Sequence, residues 1–140
     1  MNFAFNNQEL KNKRIVIIED DIPSVRYYQT ILSNSGADIK VFTNGKDFLS
    51  YIEKTDETID LVMVDFLIPF INGIECTRIL RKERKDVPVL MLTAYYTDQS
   101  KNGAFIAGCN EYILKPVFPE KIYSLLAKYL KPEISYSSIP

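Results

Sequence analysis

The chain has no histidine and no tryptophan, only two cysteines and five glycines among its 140 residues, and a net charge of −1. The missing histidine removes the commonest zinc and haem ligand. It also excludes Ser-His-Asp and Cys-His catalysis carried by this chain alone. Cys76 and Cys109 stand far apart with no ligand-like spacing, so they read as reduced, buried thiols. No apolar run reaches the roughly 18 residues of a membrane helix. Residues 1–13 lack a basic start followed by an apolar stretch, so they do not read as a secretory signal. A chain this close to neutral carries no basic field for nucleic acid. The local basic cluster at 81–85 (RKERK) reads as the solvated end of a helix, where cations complement the helix dipole. These absences leave a cytoplasmic, reduced domain that binds neither nucleic acid nor membrane by itself. Its hydrophobic share of 46% and charged share of 25% suit a single globular core.

What is present alternates between short apolar runs and segments of helical period. Residues 14–18 (RIVII), 60–64 (DLVMV) and 88–92 (PVLML) are continuous apolar strands of the kind covered on both faces. Residues 38–42 (DIKVF) and 111–114 (EYIL) are shorter strands. Helical spacing is predicted over 22–32, from an Asn44 cap through 52, over 73–83, over 98–107 and over 118–130. Gly36 and Gly108 close the first and fourth of these. Five strands alternating with five helices predict an α/β fold: a doubly wound, flavodoxin-like parallel sheet with helices on both faces. The domain spans 14–131, with an extension or linker over 1–13 and a loose tail over 132–140.

In such a sheet the chemistry gathers outside the carboxyl ends of the strands. The first strand runs into Glu19, Asp20 and Asp21, and the third ends at Asp65. The fourth ends at Thr93 and the fifth at Lys115 and Pro116. Asp21 also suits the cap of the following helix. Three carboxylates brought to one rim repel one another unless a cation sits among them, and oxygen donors of this kind suit Mg²⁺ or Mn²⁺. Lys115 supplies a fixed positive charge and Thr93 a hydroxyl donor. A nucleophilic carboxylate, a divalent ion, an ammonium and a hydroxyl together make a phosphoryl-transfer site, with Asp65 as the acceptor. With no histidine of its own, the chain cannot be the histidine phosphodonor.

Four pieces, IVIIEDD, DLVMVDFLIPFINGIE, PVLMLTA and NEYILKP, stand in the order and spacing of the response-regulator receiver family, which this sequence resembles from about residue 14 to 130. The resemblance implies the strand order 2-1-3-4-5 and makes Asp65 the phosphorylated aspartate. It implies that Asp20, Asp65 and the backbone carbonyl of Leu67 hold the metal ion, with Glu19 acting directly or through water. Thr93 and Tyr112 match the switch pair, Lys115 the lysine that binds the phosphoryl group, and Pro116 a proline preceded by a cis bond. Pro69 and Gly73 match the turn after the acceptor. The implied partner is a histidine kinase or a histidine phosphotransfer domain. Phosphorylation then changes the surface of the fourth helix, fifth strand and fifth helix, where a homodimer could form. Leu67 and Tyr95 depart from the commoner family pattern, being apolar and bulky. Both are expected to border the site and slow self-dephosphorylation.

Other readings stay open. An aspartyl-phosphate phosphatase would need a general acid two residues after its nucleophile, where Leu67 stands. An FMN carrier would need a small, polar phosphate loop where Glu19, Asp20 and Asp21 stand. A degenerate receiver that only binds partners would keep the fold without the chemistry. The chain reads as no turnover enzyme, and as a stand-alone regulator, part of a transcription factor, or the receiver of a hybrid kinase.

Overall fold

The computed structural model describes Phe5 and residues 8–130. Its elements run β1 (Arg14–Ile18), α1 (Ile22–Ile31), β2 (Asp38–Phe42), α2 (Gly45–Lys54), β3 (Leu61–Val64), α3 (Gly73–Glu83), β4 (Val89–Thr93), α4 (Asp98–Ala107), β5 (Glu111–Leu114) and α5 (Pro119–Leu130). The strands form one parallel sheet, as the alternating pattern predicts, in the order β2-β1-β3-β4-β5 that the resemblance implies.

The continuous apolar strands are explained by the two faces they cover. Ile15 and Ile17 of β1, Leu61 and Met63 of β3, and Leu90 and Leu92 of β4 enter one core with Tyr28, Leu32, Ile122, Leu125 and Leu126 of the α1 and α5 side. Their neighbours Val16, Ile18, Val62, Val64, Val89 and Met91 point the other way, onto Phe48, Ile52, Cys76, Leu80 and Ala104 of α2, α3 and α4. Period-two side chains with both faces covered leave polar residues only at the ends of the central strands, Arg14 at the start of β1 and Thr93 at the end of β4. Burying each of these aliphatic side chains stabilises the fold by roughly 1.5–3 kcal/mol before chain entropy is subtracted.

Helices α1 to α4 each start on a side-chain cap. Asp21 accepts from the Ser24 amide at 3.1 Å, Asn44 from Asp47 at 2.8 Å, and Asn72 from Glu75 at 2.9 Å. Thr97 and Ser100 form a reciprocal capping box. The positive ends of these helices therefore lie toward the carboxyl ends of the strands.

Two regions differ from the sequence expectation. The 81–85 cluster is more than a solvated helix end. The Arg81 guanidinium donates to the Gly108 carbonyl at 2.8 and 3.0 Å and to Asn110 Oδ1 at 3.0 Å. Arg84 donates to the carbonyls of Glu57 (2.8 Å) and Thr55 (3.2 Å). These arginines satisfy loop carbonyls that lack a ladder partner. Within the polar stretch 1–13, Phe5 and Leu10 are core residues. The Phe5 ring stacks 4.5 Å from Tyr123 of α5, and the amides of Gln8 and Leu10 donate to Asn34 (3.0 Å) and Ser35 (2.6 Å). The tail expected over 132–140 lies outside the described residues.

Candidate functional site

The sheet ladder continues one residue past the strands and pins the rim from below. The Glu19 amide donates to the Phe42 carbonyl at 2.9 Å, Asp65 to Ile18 at 3.1 Å, and Lys115 to Thr93 at 2.8 Å. Backbones fixed this way bring three side chains into contact. Lys115 Nζ pairs with Glu19 Oε1, with Asp65 Oδ2 at 3.2 Å, and reaches Ser24 Oγ at 3.5 Å. The other Asp65 oxygen accepts from the Leu67 amide at 3.3 Å, and the other Glu19 oxygen from Asp21 at 3.3 Å.

Glu19 is 2% exposed. Burial raises its pKa above the ordinary carboxylate value; the Lys115 bond opposes that rise and the Asp65 charge adds to it. Burial also works against the Lys115 ammonium, but the bond to Glu19 and the charges of Glu19 and Asp65 outweigh it, so its pKa is raised. One ammonium thus holds two carboxylates together that would otherwise repel.

Asp20 follows Glu19 in the chain, exposed and, among the described residues, without an ion pair. Among the described residues no three Asp, Glu, Cys or His side chains gather closely enough to hold a metal ion by themselves. The donor set nevertheless fits Mg²⁺, which keeps several waters and takes one or two carboxylates, whereas it would not fit an ion that demands a full protein cage.

The remaining predicted residues surround the triad. Thr93 is buried, and its hydroxyl accepts from the Tyr95 amide at 3.1 Å. Tyr112 is buried, its hydroxyl donating to the Tyr95 carbonyl at 2.6 Å. Tyr95 is exposed on its outer side and packs edge-on against Phe66, ring centres 5.3 Å apart. Leu67 is exposed. The Lys115–Pro116 bond is cis. Gly73 passes so close beneath Asp65 that a Cβ there would sit 2.4 Å from the Asp65 carbonyl oxygen. That approach, rather than backbone freedom, requires glycine.

Three neighbours were not anticipated from the sequence: Ser24 beside Lys115, Ser100 beside Tyr112 at 2.9 Å, and Tyr27, whose hydroxyl ties α1 to the Val117 carbonyl at 2.6 Å. Pro23, Tyr27, Tyr28, Lys115, Pro116 and Phe118 line a mostly apolar groove of about 600 Å³ that runs up to the triad. Ser24 and Ser100 each stand three residues after a cap, a spacing legible in the sequence as a capping pattern but not as a site.

Fold and rim together define a doubly wound α/β domain with a lysine-bridged acidic pocket at the carboxyl ends of its strands. A family model for the response regulator receiver domain matches residues 15–127, and the chain belongs to that family. Regulatory protein VanRc of Enterococcus gallinarum is 32% identical over 86% of the chain. Hybrid signal transduction histidine kinase M of Dictyostelium discoideum is 30% identical over 81% of it. The chain spans 51% of the first and 5% of the second. Among solved structures, a CheY-like receiver domain protein from Methanospirillum hungatei JF-1 superposes with a TM-score of 0.79 at 27% identity, covering 85% of this chain and 94% of that one. The receiver domain of sensor histidine kinase PA1611 from Pseudomonas aeruginosa PAO1, described with a magnesium ion coordinated in its active-site cleft, shares the fold with a TM-score of 0.75 at 21% identity, covering 85% and 98%. The chain is thus a receiver domain of two-component phosphorelay signalling.

Proposed function

We propose that Asp65 accepts a phosphoryl group from a phosphohistidine of a partner histidine kinase or histidine phosphotransfer domain. The observation that carries this reading is the Lys115 ammonium shared between Glu19 and Asp65. It pairs with the acceptor carboxylate at the open rim and holds a positive charge where phosphoryl oxygens would lie. Asp65 Oδ attacks phosphorus, the N–P bond to the donor histidine breaks, and an acyl phosphate forms. Asp20, Asp65 and the Leu67 carbonyl would hold Mg²⁺ or Mn²⁺, with Glu19 direct or through water, and the bound ion supplies charge against the transferring oxygens. Lys115 supports the same oxygens from the protein side, and the Leu67 amide already points at an Asp65 oxygen.

Thr93 and Tyr112 form the switch pair in this reading. The charged product draws the Thr93 hydroxyl away from the Tyr95 amide, and the surface of α4, β5 and α5 changes partners. Exposed Ile106 and Leu114 lie on those elements, where two phosphorylated copies would pair. Catalysis is confined to the domain's own phosphorylation and dephosphorylation, and the setting is cytoplasmic. Leu67 carries no proton to give, which disfavours the phosphatase reading.

Intact-protein mass after incubation with acetyl phosphate and Mg²⁺ tests this. One added phosphoryl group that disappears in Asp65→Asn and without the metal is expected. No addition under any condition would leave a degenerate receiver that acts by binding alone.

A further inference from the structure

The Tyr112 ring is 5% exposed and already lies inward. Its hydroxyl sits 2.6 Å from the Tyr95 carbonyl oxygen and 2.9 Å from Ser100 Oγ. A carbonyl only accepts, so the single phenolic proton goes to Tyr95. The contact with Ser100 then belongs to the serine proton, with the Tyr112 oxygen accepting. A phenol that donates at one side and accepts at the other is held in one position along both bonds.

Ser100 is fixed in its turn. It is buried, its amide donates to Thr97 Oγ1 at 3.0 Å, and its own oxygen accepts from the Thr97 amide at 3.0 Å. Its single proton is shared between the Tyr112 oxygen at 2.9 Å and the Thr97 carbonyl at 3.0 Å, so the serine links the cap of α4 to the ring. Tyr96 closes the arrangement, its ring 5.3 Å from that of Tyr112. None of these contacts passes through Asp65, Lys115 or Thr93.

We propose that Ser100 is a positioning residue that anchors the Tyr112 ring inward, tying the switch position to the first turn of α4 and favouring the inward ring even before Asp65 is modified. This rests on reading Tyr112 as a receiver switch residue. The ring and the start of α4 then move together, and a partner that grips the first turn of α4 acts on the ring directly.

Fluorine NMR of the full chain labelled with 3-fluorotyrosine tests the anchor, the Tyr112 signal being assigned by its loss in Tyr112→Phe. In the unmodified chain the inward signal is expected to dominate. Ser100→Ala should lower the inward-to-outward ratio roughly two- to tenfold, the worth of one net hydrogen bond. Ser100→Thr should keep it, and Thr97→Ala, which breaks the cap but leaves the serine, should shift it less. If Ser100→Ala does not fold, the nearly isosteric Ser100→Cys serves as the same arm. An unchanged ratio in the hydroxyl-free variant, or an equal shift in Thr97→Ala, overturns the anchor. Acetyl phosphate and Mg²⁺ added to the same samples keep the two readings apart. A chain that is phosphorylated but whose ring does not respond to Ser100→Ala sinks the anchor alone, whereas an unphosphorylated wild type with a ring that responds to Ser100→Ala sinks the receiver chemistry alone.

Discussion

Lys115 sits between Glu19 and Asp65, and removing it sets free two charges of very different exposure. Asp65 reaches water, but Glu19 is buried beneath it. Lys115→Met is expected to cost about 3 kcal/mol of stability through the stranded Glu19, and Lys115→Met with Glu19→Gln to recover most of it, as read by urea denaturation. Phosphorylation by acetyl phosphate should fall about a hundredfold in both variants, since the charge at the oxygens is absent in each. At the rim, Leu67 and Tyr95 stand 57% and 44% exposed beside the acceptor. If they shield the acyl phosphate from water, Leu67→Asn with Tyr95→Glu will shorten the phosphoryl lifetime severalfold in a decay assay, and an unchanged lifetime removes that role. That Glu19, Asp65 and Lys115 would meet at one rim was legible because charged residues at the ends of apolar strands have few other reasons to be there. The Leu67 amide at Asp65 was not legible as a donor, because any residue carries an amide and only the turn aims it.

Among the elements, the loop from β3 into α3 sets the position of the acceptor. Gly73 opens that helix directly under the Asp65 carbonyl. Gly73→Ala should cost about 2 kcal/mol by overpacking and displace the acceptor, so thermal midpoint and phosphorylation rate fall together. A midpoint that falls while the rate holds would show that the loop absorbs the extra atom without moving Asp65. The strands could be read from the sequence with small shifts, because β-branched runs covered on both faces have no polar positions inside them to blur them. The roles of Arg81 and Arg84 could not, because their partners are loop carbonyls 27 and 29 residues away that no side-chain pattern announces.

At the scale of the whole molecule, Phe5 and Leu10, ahead of β1, belong to the core. Phe5→Ala should cost about 3 kcal/mol, seen as a lower thermal midpoint, because it leaves a void against Tyr123. Cys76 and Cys109 are buried deeply enough that burial pushes their thiols from 9.0 up to about 12. Each favours the folded state below pH 9.0, and that contribution fades as pH climbs toward about 12. A disulfide reagent at about pH 8 should therefore modify them at the rate the fold opens, and fast labelling of the native chain would contradict this burial. The strand order has a further consequence, in the kinetics of folding. β1 is made first but lies inside the sheet, and its second neighbour β3 arrives only after an edge strand and two helices. Pairing across such spans closes slowly and late. A chain emerging from the ribosome completes both acidic strand ends well before β5 delivers Lys115, so it reaches its electrostatic balance only with its last strand.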